Sequence, residues 1–162
     1  MEVKNKRKDI KIERISERDI PELVNIYMEA YKGLEEYAYT HPKDIRSYIK
    51  WLLKRDPEGV WKVELDGKKV GFIAVDSNWY SKRENKNVGA IHEIAVLPEY
   101  RYRGIGTKLV QNAIEYFKRK GLDTAELWVG DENEPAKNLY RRMGFVERDR
   151  YNYWIRMTKK IT

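Results

Sequence analysis

Apolar residues recur at Ile20, Leu23, Val24, Tyr27, Met28 and Tyr31. The intervals i, i+3, i+4, i+7, i+8 and i+11 place them on one face of an α-helix. Ser16 or Asp19 caps it, and Pro21 fits a first turn, where its missing N–H is not needed. The segment 11–15 before it reads as a short strand, and the aromatic stretch 33–41 after it as a linker. Pro42 opens a second helix with Ile45, Tyr48, Ile49, Leu52 and Leu53 inward, and Asp56-Pro57 ends it. The period then changes to two. Trp61, Val63 and Leu65 share one face of a strand over 60–65, and Asp66-Gly67 is a two-residue hairpin signal. The returning strand, 70–75, is apolar on both faces and belongs mid-sheet. A polar loop is predicted over 76–87 and a strand over 88–96. A helix follows to Lys120 with Leu109, Val110, Ala113, Ile114 and Phe117 inward, and Gly121 stands at its C-cap. A strand over 122–129, a short helix over 133–143 and an antiparallel pair at 145–146 and 151–157 complete the pattern. Strand–helix–strand–helix in the second half predicts a β-α-β unit with parallel strands. The fold class is mixed α/β (α+β): about four helices on a central sheet of six to seven strands, parallel in the middle and antiparallel at its ends.

The 162 residues suit one domain over 1–162, with 1–9 a frayed polar tail. The absence of cysteine excludes disulfides, thiol nucleophiles, zinc ribbons and iron–sulfur ligation. Two histidines, His41 and His92, argue against a histidine-rich metal site, so no metal is expected. The start lacks the apolar core of a secretory signal, and no apolar run approaches the ~20 residues of a membrane span. The expectation is a cytoplasmic domain. Its net charge of +7 welcomes an anionic partner. Because 33 Lys and Arg interleave with 26 Asp and Glu, a basic nucleic-acid-binding face is disfavoured.

The clearest chemistry lies in Arg101-Tyr102-Arg103-Gly104-Ile105-Gly106, which joins a strand to a helix. The first turn of a helix leaves backbone N–H groups unpaired, and the macrodipole adds partial positive charge. Gly104 and Gly106 lack a Cβ and let a pyrophosphate approach the backbone. Arg101, Arg103 and Lys108 supply charge. No G-K-[ST] follows and the third glycine is missing, so this is neither a Walker loop nor a dinucleotide fingerprint.

Val96-x-Pro98-x-x-Arg101-x-x-Gly104-x-Gly106 resembles motif A of the GNAT N-acetyltransferases, and Asn133-x-x-Ala136-x-x-Leu139-Tyr140-x-x-x-Gly144-Phe145 resembles motif B. The two stand in the family's order, separated by a helix and a strand, and the upstream helices and hairpin suit the family as well. The resemblance implies acetyl-CoA bound across a splayed pair of parallel strands, 88–96 and 122–129. It implies that the backbone of Ile94, Ala95 and Val96 holds the pantetheine arm as an added strand would. The amides of Tyr102, Arg103, Gly104, Ile105, Gly106 and Thr107 would hold the pyrophosphate. Asn133 would bind the pantetheine from the other side, and Tyr140 would lie near the sulfur.

An amine of pKa ~10.4 must lose a proton before it attacks the thioester, and a phenol of pKa ~10 can protonate the departing thiolate. Tyr140 is the candidate acid; it also belongs to an inward stripe with Ala136, Leu139 and Met143. Glu93 is the first candidate base, ahead of His92 on the same strand and Glu126 on its neighbour. Strand alternation puts His92 and Glu93 on opposite faces. Members of the family that acetylate ribosomal-protein N-termini usually carry a glutamate five residues before the motif-B asparagine. Trp128 stands there, which disfavours that substrate class or moves its base, and lets the indole wall the acceptor pocket or pack in the core. Tyr31, Tyr37, Tyr39, Tyr151, Tyr153 and Trp154 are candidates to receive a cationic amine, to pack, or to form a homodimer contact. The expected activity is N-acetyl transfer from acetyl-CoA to a primary amine, small molecule or peptide, within a ternary complex. With no cysteine, no covalent acetyl-enzyme is expected. The rival function is a non-catalytic acyl-CoA sensor of the same fold.

Overall fold

The computed structural model describes residues 9–162. Residues 1–8, most of the expected tail, lie outside the described residues. Eleven elements follow in order. They are β1 (Ile10–Arg14), α1 (Ile20–Ala30), α2 (Pro42–Arg55), β2 (Val60–Leu65), β3 (Lys68–Ser81), β4 (Lys86–Val96), α3 (Ile105–Arg119), β5 (Thr124–Gly130), α4 (Glu134–Arg142), β6 (Val146–Tyr151) and β7 (Trp154–Lys160). The strands form one sheet in the order β1-β2-β3-β4-β5-β7-β6. Only β4 and β5 pair in parallel; the other neighbours are antiparallel.

The helical stripes bury as their periods require. Leu23, Ile45, Ile49, Leu109 and Phe117 are fully buried against the sheet, whereas Met28, at the edge of its stripe, is exposed. The strand 70–75 is buried on both faces, as its composition predicts.

Two elements depart from the sequence reading. The final pair, expected at 145–146 and 151–157, is β6 (Val146–Tyr151) and β7 (Trp154–Lys160), with Tyr151 ending the first strand instead of opening the second. The expected loop over 76–87 is instead the outer half of a long β3–β4 hairpin, with Trp79 opposite Val88 and Ser81 opposite Lys86. Its inward positions are polar, so no apolar alternation marks it. Asp76 is fully buried and accepts from Arg55 Nε at 2.8 Å. Ser81 is buried and donates to Glu126 at 2.6 Å.

Two irregularities of β4 position the site. Its parallel pairing with β5 covers only Gly89–Ala125, Ala90–Glu126 and Ile91–Leu127, although β4 continues to Val96. The strands therefore splay beyond Ile91 and leave one edge of β4 open. On its other edge the register with β3 steps from Ala74–Glu93 to Val75–Ile91, so His92 is the extra residue of a β-bulge.

Candidate active site

The splay and the β4–α3 loop frame a cavity of about 460 Å³. Ile94, Ala95 and Val96 form one wall, the loop from Arg101 to Thr107 the end, and Asn133, Ala136, Leu139 and Arg142 the opposite side. Leu97 N–H donates to Val70 O on β3 at 2.8 Å. By the alternation of a strand, Ala95 also directs its main-chain groups to β3, while those of Ile94 and Val96 face the gap.

Gly104 is the N-cap of α3 with φ 80°, a left-handed conformation, and a Cβ there would meet open space. Its conformation demands glycine, and the space over it is free for a ligand. The first intrahelical bond runs from Lys108 N–H to Gly104 O at 3.1 Å, which leaves the N–H groups of the preceding turn without helical partners. Gly106 also lines the cavity, but unlike Gly104 it is tightly packed. A Cβ there would stand 3.0 Å from Leu139 Cδ2, so this glycine admits α4 beside α3. Arg101 donates through Nη2 to Ala30 O at 2.7 Å and through Nε to Val96 O at 3.3 Å. Its guanidinium ties the loop to the end of α1. Arg103 is exposed and lies over the Tyr100 ring, 5.3 Å from its centroid. Tyr102 is also exposed, with φ 64°. Asn133 caps α4, its Oδ1 accepting from Ala136 N–H at 3.4 Å.

A second cavity of about 380 Å³ adjoins the first, and Tyr31, Ile94, Asn133 and Ala136 line both. His92, Glu93 and Tyr140 all line this second cavity. The expected opposition of His92 and Glu93 is thus removed by the bulge, which breaks the alternation between them. Glu93 is 8% exposed, and Tyr31 Oη donates to its Oε2. Burial pushes its carboxyl up from 4.5 to about 7, against hydrogen bonds from Tyr31, Tyr48 and the Ile94 N–H. Tyr48 also donates to His92 O at 3.3 Å. Tyr140 is buried edge-on to Phe145, and burial together with the Glu93 charge raises its phenol above the ordinary value.

The other candidates separate. His92 Nε2 lies 3.4 Å from Asp76 Oδ2, and the ring is flanked by Trp51 and Trp79. Glu126 is held by Ser81 and by Arg156 Nη1 at 2.9 Å, inside a network that includes Asp149 and Glu84. Trp128 lines the second cavity, half-exposed, under the Arg83 guanidinium. Tyr31, Tyr37, Tyr39 and Trp154 line it too, whereas Tyr151 and Tyr153 do not. The sequence reading missed Tyr48 and Glu36 as lining residues. Tyr48 reads as an ordinary member of the inward stripe of α2, and nothing in the pattern marks Glu36.

A mixed sheet with one splayed parallel pair, a helix N-terminus at the mouth of the splay and two cavities meeting at a common wall define the class of this α/β domain. The acetyltransferase (GNAT) family matches residues 20–145, and the chain belongs to that family. An uncharacterized N-acetyltransferase of Methanocaldococcus jannaschii is 45% identical over 161 residues, 99% of this chain and 71% of that protein. A crystal structure from Pyrococcus horikoshii superposes with a TM-score of 0.85 at 40% identity, covering 94% of this chain and 98% of that one. The PaiA N-acetyltransferase of Thermoplasma acidophilum, solved in complex with coenzyme A, shares the fold at a TM-score of 0.72 and 21% identity, covering 94% and 99%.

Proposed function

We propose that this protein transfers an acetyl group from acetyl-CoA to a primary amine by direct attack, with Glu93 as base and Tyr140 as acid. The observation that carries the proposal is the meeting of two cavities at one wall. The first offers an anion-binding helix end and an open strand edge. The second offers a buried carboxylate that titrates near neutrality and a buried phenol. The coenzyme A held by the Thermoplasma relative supports the assignment of the first cavity.

Acetyl-CoA supplies the acyl group as a thioester. The amides of Tyr102 through Thr107 hold its pyrophosphate, supported by the partial charge of the α3 dipole. The Ile94 carbonyl and the Val96 N–H receive the pantetheine arm along the open edge of β4, with Asn133 opposite. Glu93, ionised, takes a proton from the acceptor ammonium. The freed nitrogen forms a C–N bond to the carbonyl carbon as the C–S bond breaks. Tyr140 gives its proton to the departing sulfur and is reprotonated by the second proton that the new amide nitrogen sheds, while Glu93 releases the first to solvent.

The test is thiol release with an amine panel, with acetyl-CoA binding measured in parallel. Tyr140→Phe is expected to lower kcat by about 10² or more with little change in acetyl-CoA affinity. Wild-type turnover in that variant removes Tyr140 from the mechanism. Binding without thiol release for any amine favours the sensor reading.

A further inference from the structure

The acetyl-transfer reading leaves the acceptor open, and the charges of the second cavity narrow it. The sequence carries 33 Lys and Arg, yet among the described residues no Lys or Arg lines this cavity. Its charged lining consists of Glu93 and Glu36, with His92 beside them. Glu93 is buried, while Glu36 is exposed. Nearby carboxylates are already occupied. Asp131 accepts from Tyr37 at 2.6 Å and pairs with Arg150, and Asp76 pairs with Arg55. Glu36, by contrast, has no hydrogen bond or ion pair among the described residues. The rest of the wall is aromatic, with Tyr31, Tyr39, Tyr48, Trp128 and Trp154 among its rings.

Each feature selects against one class of amine. An acceptor bearing a carboxylate or phosphate finds no Lys or Arg among the described residues of the cavity and meets two carboxylates. Desolvating an anion without a counter-charge is costly, and like charge adds to that cost. A short neutral-tailed amine leaves Glu36 unused. Aromatic faces suit both a methylene chain and an ammonium group. Resting on the acetyl-transfer reading, we propose that the acceptor is a linear diamine or polyamine, with its reacting nitrogen at Glu93 and a second ammonium at Glu36.

The proposal is tested on the full chain by thiol-release kinetics with three amines of one length: hexylamine, 1,6-diaminohexane and 6-aminohexanoate. A shorter four-carbon trio serves as a ruler. The better diamine of the two lengths is expected to exceed its matched monoamine in kcat/KM about fivefold, beyond the factor of two that its equivalent ends supply. Fivefold is what roughly 1 kcal/mol from one exposed ion pair gives. The amino acid is expected to be the slowest of each trio. Glu36→Gln should bring the diamine-to-monoamine ratio back to about two, and added salt should shrink it in the wild type. The proposal is overturned by equal rates for diamine and monoamine, by an amino acid or peptide amine that outruns the diamine, or by a ratio that Glu36→Gln leaves unchanged. In each of those results acetyl transfer itself still stands. If acetyl-CoA binds and no amine releases thiol, the transfer reading falls and takes this proposal with it.

Discussion

Glu93 is buried against tyrosines and a backbone N–H instead of a cation. Carboxylates are seldom buried without a cationic partner, because removing charge from water is costly. The consequence is a carboxyl pushed up to about 7, so that both protonation states are populated near neutral pH. If the ionised form is the base, kcat/KM rises with pH through about 7, and the rise belongs to the free enzyme. Glu93→Gln is expected to lower kcat/KM by about 10² to 10⁴ and to abolish that limb. Tyr31 supplies one of the hydrogen bonds that stabilise the charged form. Tyr31→Phe should therefore move the limb to higher pH while activity at high pH recovers. A pH–rate profile of the three proteins checks both expectations. An unshifted limb in Tyr31→Phe would separate Tyr31 from the base.

At the scale of elements, the helices were legible because each carries one apolar stripe at helical spacing. The stripe of α3, from Leu109 to Phe117, buries as expected. The outer half of the β3–β4 hairpin was not legible, because Asp76 and Ser81 fill inward positions through polar contacts that join residues far apart in sequence. The bulge at His92 left no trace in the pattern either. A bulge adds one residue to a ladder without changing composition, and here it decides which cavity His92 and Glu93 share. The motif glycines were legible as a pair, but their purposes separate only in three dimensions. Gly104 holds a left-handed N-cap, whereas Gly106 makes room for Leu139. The family resemblance carried by the two motifs implied the splayed strands, and the β4–β5 register bears that out.

For the whole molecule, the site opposes stability as pH rises. A carboxyl whose folded pKa exceeds its unfolded value binds its proton more tightly in the native state. Its contribution is complete below the ordinary value of 4.5 and is lost as pH rises through about 7. The shift corresponds to at most on the order of 3 kcal/mol. Glu93→Gln is expected to flatten this part of the stability curve. The gain in Tm of the variant over the wild type should thus be larger at pH 8 than at pH 5, read by thermal melts. An equal difference at both pH values would show that Glu93 is not strained when charged. The second cavity was the least legible part of the molecule. Its wall draws on α1, α2, the 36–39 segment, β4, β5, α4 and β7, and only folding brings Glu36, Tyr48 and Glu93 together. The first cavity, proposed to hold acetyl-CoA, is by contrast built largely from one continuous strand–loop–helix segment. Its occupation is the claim on which the rest depends. It is tested most directly by calorimetric titration of acetyl-CoA into the wild type, Gly104→Glu and Gly104→Ala, with circular dichroism confirming that each is folded. Saturable binding by the wild type is expected, with Gly104→Ala reporting the backbone strain alone and Gly104→Glu weaker than Gly104→Ala by at least about tenfold. No binding by the wild type, or equal affinity in all three, would contradict it.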